Sequence, residues 1–264
     1  MKVLVVGRTE IGDTISNTLP IIRVLKEQGH TIHFVGQTLT TLRLILNFPY
    51  VDYCWPVCDK ADLPNIIEPY DIVYTCAGAV LEVIGSFENV VKFQESPEIF
   101  YRPEKQLAKI GLKFRDELRL IDLAWYRDYY KDFECKSNSV LLNCESDGLS
   151  RVYRKGAELK VYLEDKGFDV REFDTSIDIR TNLHLVHQAP YILTVDTSTL
   201  WMARALAKEP YMILSEDAYP KEVYRQRLRC ENIVPWRTHL NKLQAEEIAN
   251  CFEKAVKARG CKLL

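Results

Sequence analysis

The run KVLVVGRTEIGDTISNTLPIIRVLKEQGHTIHFV, Lys2–Val35, passes from strand to turn to helix and back to strand. Lys2–Val6 is rich in β-branched residues and reads as a strand. Thr14–Gln28 carries Ile15, Leu19, Ile22 and Leu25 at helical spacing and stops at Gly29. Thr31–Val35 is the next strand. A strand, a helix and a second strand in this order open a parallel sheet covered by helices.

Outward from this unit the alternation continues. Leu39–Leu46 reads as a short amphipathic helix, Val51–Val57 as a strand interrupted by Pro56, Asp71–Thr75 as a strand, and Pro103–Ile110 as a helix stopped by Gly111. Between Leu120 and Ser139 the pattern lapses into the charged, aromatic DLAWYRDYYKDFECKSNS and then restarts. Ser139–Asn143 is a strand, Gly156–Lys166 a helix stopped by Gly167, and Val170–Phe173 a strand. Thr181–Gln188 is a short helix, Tyr191–Val195 a strand, Ser198–Ala207 a helix and Tyr211–Leu214 a strand. Two such sets predict an α/β chain of two Rossmann-like parallel-sheet lobes, residues 1–130 and 138–264, facing across a cleft. The run Ala245–Lys257, with Ile248, Cys251, Phe252 and Val256 on one face, closes the second lobe as a helix packed back on its body.

The composition narrows the function. With 264 residues, 47% of them hydrophobic, the chain can bury a sizeable core, and disorder is excluded. Its 35 Lys+Arg and 37 Asp+Glu leave a formal charge of −2, so no global field draws it to nucleic acid or an anionic membrane. The balance conceals a weak split, 14 basic against 17 acidic groups in residues 1–130 and 21 against 20 in residues 131–264. The apolar opening is far shorter than the roughly 20 residues of a membrane span, so neither a signal nor stable membrane insertion is expected. Eight scattered cysteines, with Cys54 and Cys58 spaced CxxxC, read as reduced thiols of a cytoplasmic protein.

Three turns and a stripe carry the polar chemistry. After the first strand, Gly7 and Gly12 frame a turn that is neither a dinucleotide fingerprint nor a P-loop, which speaks against a dehydrogenase or an ATPase. It places Asp13 at a helix N-terminus above the carboxyl ends of the strands, either as a functional carboxylate or as a helix cap. In the turn before Leu200, Asp196, Thr197, Ser198 and Thr199 can hydrogen-bond ribose or phosphate at a helix mouth, or serve as caps. The loop Asn143–Lys155 brings Arg151, Arg154 and Lys155 close in sequence, as a diphosphate site or a solvated helix start. Arg102, Lys105 and Lys109 recur at helical spacing with Lys113 and Arg115 beyond them, as a basic stripe for an anion or a solvated face. His184 and His187 read as structural, and no paired carboxylates mark a metal site.

Taken together these stretches resemble glycosyltransferase family 9, the heptosyltransferase family of lipopolysaccharide synthesis. Val3–Val57 is similar to its opening strand, its Gly-Asp turn with a following Thr-Pro (here Gly12-Asp13 and Thr18-Leu19-Pro20) and its "NPYVD" segment (here Asn47–Asp52). Val195–Leu214 is similar to its "DTGxxHxAxAxxKP" turn and helix, and Arg102–Leu112 resembles a helix ending in "LGL". The chain departs at Ser198, where the family has glycine, at Trp201, where it has histidine, and at Arg204; it is also short for the family.

The resemblance implies a compact GT-B fold and an inverting transfer of sugar from a nucleotide-sugar donor. Gly12 would be the turn glycine and Asp13 the general base, a role that contributes on the order of 100- to 10,000-fold. Asp196, Thr197, Ser198, Thr199, Arg151, Arg154 and Lys155 would hold the donor without a metal or further cofactor. Arg102, Lys105 and Lys109 would meet an anionic acceptor, a phosphorylated glycan of lipopolysaccharide type or, alternatively, DNA carrying a hydroxylated base. A catalytically silent nucleotide-sugar binding protein is the other reading, which Trp201 permits.

Overall fold

Val3, Leu4, Val5 and Val6 are all buried, so both faces of β1 (Lys2–Val6) are covered, as a parallel strand under helices requires. The computed structural model describes residues 1–56, 59–75, 78–92, 104, 107–108, 111–146, 148, 151–215, 233–234 and 239–259. The chain divides into two compact units, Met1–Arg127 and Asp128–Leu264. In the first, β1 lies between β2 (Thr31–Val35) and β4 (Ile72–Thr75), with β3 (Tyr53–Trp55) and β5 (Val90–Lys92) outside them. All pairs are parallel and the order is β3-β2-β1-β4-β5.

The helix after β1 begins earlier than its apolar spacing predicts. Helix α1 (Ile11–Asp13) runs through a π-helical turn (Thr14–Thr18) directly into α2 (Leu19–Glu27). Gly12 therefore lies inside the first helical turn and not in the turn before it, because Gly7–Glu10 alone complete the reversal. Gly7 N–H donates to the Val35 carbonyl at 2.9 Å, and a Cβ on Gly7 would come within 2.5 Å of the Phe34 ring. The wide turn sits where the Pro20 ring would meet the Ser16 carbonyl, and Pro20 has no N–H to give it. As a result Thr14, Ser16, Asn17 and Thr18 are all buried.

The "NPYVD"-like segment after α3 (Leu39–Leu46) proves to be a packing device. Arg23 lies over the rings of Phe48, Tyr50 and Trp125 at 5.4, 4.8 and 5.3 Å, and donates to the carbonyls of Glu117 (2.6 Å) and Leu120. One guanidinium thus fastens part of the aromatic lapse onto the first sheet's helices. Asp52 accepts from Lys26 Nζ at 2.6 and 2.7 Å and from Ile32 N–H at 2.7 Å, and β3 begins only after it. The short α4 (Leu63–Ile67), α5 (Gly78–Ile84) and β5 have too few residues to show a period in sequence. Most of the predicted helix Pro103–Ile110 lies outside the described residues.

In the second unit β6 (Ser139–Asn143) is central and fully buried, flanked by β7 (Asp169–Glu172) and β8 (Tyr191–Thr194), with β9 (Tyr211–Met212) beyond β8. Helices α6 (Gly156–Asp165), α7 (Ile179–Gln188) and α8 (Ser198–Ala205) alternate with the strands. Helix α9 (Ala245–Ala258) buries Ile248, Ala249, Phe252 and Val256, and the Phe252 ring meets those of Phe168 and Tyr211 at 5.1 and 5.0 Å. Cys251, expected in this stripe, is only half-buried, since its place falls to Ala249.

Gly29 and Gly167 end their helices at φ +81° and +86°, in the left-handed region where a glycine costs nothing. Ala207 ends α8 in the same way at φ 55°: its N–H bonds the Arg204 carbonyl at 3.1 Å and that of Lys208 the Ala203 carbonyl at 2.8 Å. Ala207→Gly should therefore raise stability by about 1 kcal/mol in denaturant melts.

Burial alone would raise the pKa of Asp52, but its bonds from Lys26 and Ile32 outweigh this and hold it below the ordinary carboxylate value. A folded-state pKa below the unfolded one gives stability that is present above about pH 4 and lost as pH falls through the folded value. Asp52→Asn should lower the melting temperature at neutral pH, and the difference from wild type should vanish in acid.

Candidate functional site

In each sheet the central strand has one neighbour reached by the next connection and another reached by a later one. The carboxyl ends of β1 and β4, and those of β6 and β8, therefore flank a topological switch point, where open α/β sheets bind ligands. The polar turns singled out in the sequence leave from these strand ends.

In the first unit, Asp13 stands on the first turn of α1, mostly buried. Its Oδ2 lies 3.2 Å from Arg8 Nε, and its Oδ1 accepts from Asn17 Nδ2 at 3.4 Å. Arg8 Nε is also 3.5 Å from Glu10 Oε2. The N-cap is Glu10, in extended conformation and without a side-chain capping bond, so Asp13 is not a helix cap. A carboxylate in the first turn also faces the positive end of the helix dipole. Arg8 and Asn17 were not apparent as site residues in the sequence; the one signal was Asn17 four residues beyond Asp13, one helical turn away.

In the second unit, Asp196 is buried just after β8, and the N-cap of α8 is Thr197, extended at φ −151° and ψ −178° with no side-chain capping bond. Capping thus does not account for these hydroxyls. Thr199 Oγ1 accepts from Asn143 Nδ2 at 2.7 Å, inside the protein, while Ser198 is half-buried at the helix start. Ser146 Oγ donates to the Asp196 carbonyl at 3.3 Å, stitching the loop after β6 to the turn after β8. Asn143, which in sequence ends the strand and opens the polar loop, gives a second link between the two.

The three cations of the loop separate. Arg151 Nη1 lies 3.7 Å from Asp196 Oδ2, and Gly148 makes room for it, since a Cβ there would come within 2.6 Å of Arg151 Nε. Arg154 instead gives its N–H to Asn241 Oδ1 at 2.8 Å with its side chain exposed, and Lys155 Nζ donates to Gln244 Oε1 at 2.8 Å, just before α9. Only Arg151 of the three is seen at the Asp196 turn. Trp201 is buried within α8. Burial pushes the Cys144 thiol up to about 12, which leaves it protonated and unreactive beside the loop.

Arg102, Lys105 and Lys109 lie outside the described residues. Beyond them, Arg115 is engaged by Glu27 at 2.6 Å. His184 is buried edge-on to Tyr130, at 5.5 Å between centroids, and His187 is exposed. Among the described residues no group of three or more His, Cys, Asp or Glu converges as a metal site, and no helix is long and apolar enough to cross a membrane.

Each unit is a parallel α/β lobe, and together with the structural likenesses that follow this gives the chain the GT-B fold. Among solved structures, the chain is similar to E. coli ADP-heptose lipopolysaccharide heptosyltransferase II, at TM-score 0.67 and 14% identity over 99% of this chain and 100% of that one. E. coli heptosyltransferase WaaC, solved with ADP-2-deoxy-2-fluoro heptose, matches at TM-score 0.62 and 14% identity over 98% and 100%. A family 9 glycosyltransferase from Veillonella parvula matches at TM-score 0.63 and 10% identity over 97% of each chain. No family model matches the chain, and no curated protein matches it significantly.

Asn143→Ala would leave the Thr199 hydroxyl buried without its donor, a loss of about 1–3 kcal/mol. Denaturant unfolding should show a destabilisation in this range, because the bond lies wholly inside the second unit.

Proposed function

We propose that the chain is a glycosyltransferase that carries a sugar from a nucleotide-sugar donor to an acceptor hydroxyl, with inversion. The observation that carries the reading is the place of Asp13: a carboxylate at the switch point of the first sheet, held on both oxygens and not consumed in capping. The likeness in fold to heptosyltransferases along nearly the whole chain supports it. In this reading Asp13 takes the proton from the acceptor hydroxyl as that oxygen attacks the anomeric carbon, and the nucleoside diphosphate departs.

The turn Asp196–Thr199 and Arg151 serve the donor. Buried Asp196 would repel a phosphate and accept well from hydroxyls, so it suits the ribose or sugar, while Arg151 and the N–H groups opening α8 suit the diphosphate charge. Arg154, whose side chain is exposed, and Lys155, whose ammonium is bound to Gln244, are left a lesser part. The acceptor is a phosphorylated glycan of lipopolysaccharide type, met by the first unit, and the protein acts in the cytoplasm without a metal. The buried Trp201, where the resemblance expects histidine, favours one rival, a protein that binds nucleotide sugar without turnover.

A thermal-shift panel of nucleoside diphosphates and their sugar conjugates tests the donor site; a ligand at 100 times its Kd stabilises by about 2.7 kcal/mol. Arg151→Ala should abolish the shift and Lys155→Ala should leave most of it. With the stabilising donor, a phosphorylated core glycan and DNA with a hydroxylated base are offered as acceptors, with and without chelator. Asp13→Asn should lower transfer by about 100- to 10,000-fold and preserve the nucleotide shift. Binding by both proteins with transfer by neither would establish the silent binder, and no shift with any nucleotide would remove the donor site altogether.

A further inference from the structure

The Arg8 guanidinium is shared between two carboxylates, with Nε 3.2 Å from Asp13 Oδ2 and 3.5 Å from Glu10 Oε2. The three side chains differ in exposure: 12% for Arg8, 16% for Asp13 and 45% for Glu10. Glu10 occupies the N-cap position of α1 but makes no capping bond, so its carboxylate is available to Arg8. Asn17 holds the other oxygen of Asp13 and, being neutral, adds orientation without charge.

This sharing bears on a base. When Asp13 accepts a proton it ceases to be an anion, and a largely buried guanidinium beside it loses its counter-charge, which is heavily penalised. Glu10, already at the same nitrogen, supplies a second one. Resting on the reading of Asp13 as the general base, we propose that Arg8 and Glu10 are positioning residues: Arg8 aims the Asp13 carboxylate, and Glu10 holds the Arg8 charge once Asp13 is protonated. In the step itself the acceptor proton passes to Asp13 and the acceptor oxygen bonds the anomeric carbon. The bond from that carbon to the phosphate oxygen breaks, and its electron pair leaves with the nucleoside diphosphate. Arg8 faces Asp13 directly, and Glu10 reaches it through the Arg8 guanidinium.

The test is a double-mutant cycle of Arg8→Met, Glu10→Gln and the two combined. It is read by the pH–rate profile and by carboxyl NMR titration of the unliganded protein, the Asp13 signal being assigned by its absence in Asp13→Asn. Arg8→Met should move the Asp13 midpoint and the acid limb of kcat upward by about one pH unit, since a nearby cation favours the carboxylate. Glu10→Gln should move both downward and reduce kcat several-fold with KM unchanged. The double variant should match Arg8→Met alone, because Glu10 acts only through Arg8.

Equal effects of Glu10→Gln with and without Arg8, or an Asp13 midpoint that none of the variants moves, would overturn the inference while leaving Asp13 as the base. Transfer that survives Asp13→Asn would overturn the base and this inference together. Glu10→Gln alters an exposed side chain, so its kcat and midpoint remain decisive if Arg8→Met does not fold.

Discussion

Parallel pairing of β1 and β6 with a neighbour on each side is the constraint from which the rest follows. Parallel strands cannot be joined by a tight turn, so each connection must leave the carboxyl end of a strand and return across a face of the sheet. Where successive connections leave toward opposite sides, backbone N–H groups and helix starts gather around a gap beyond the strand ends. Asp13 and the Asp196–Thr199 turn stand at the two such gaps of this chain. Their position is a consequence of strand order, and their chemistry of the few residues that follow the strands.

These places also concentrate features that stability alone would not favour. The π turn buries Thr14, Ser16, Asn17 and Thr18 immediately after Asp13, where four apolar residues would pack more simply. Single π turns within helices occur often at functional sites, because they redirect side chains without ending the helix. Here the wide turn follows a shared guanidinium and a clamped carboxylate. Away from the gaps the polar groups are structural: Arg23 fastens the 117–125 segment over three rings, and Lys208 Nζ donates to the carbonyls of Val186, His187 and Ala189, closing the end of α7.

Most of the architecture was legible in the order of residues. The apolar runs Lys2–Val6, Thr31–Val35 and Ser139–Asn143 are strands with the bounds their composition predicts, and Gly29 and Gly167 stop helices where expected. The short α4, α5 and β5 escaped, since a strand like Val90–Lys92 or a helix like Leu63–Ile67 has no measurable period. At the candidate sites the sequence showed the carboxylates and hydroxyls but not their partners. Arg8 is five residues before Asp13, and Asn143 lies 56 residues from Thr199.

The sequence by itself determined that two βαβ sets follow one another, and that Asp13 and Asp196–Thr199 leave the carboxyl ends of strands, because burial on both faces and glycine stops are written in local composition. Only the tertiary structure decided which charges meet. It turned Arg151 toward Asp196 and Lys155 toward Gln244, although the two cations are close in the chain. It also set Asp13 against Arg8 and Asn17 where the residues alone pointed as readily to a helix cap. The physical reason is that an ion pair depends on a few ångströms of separation, and that separation is set by how the turns pack, not by the distance along the chain.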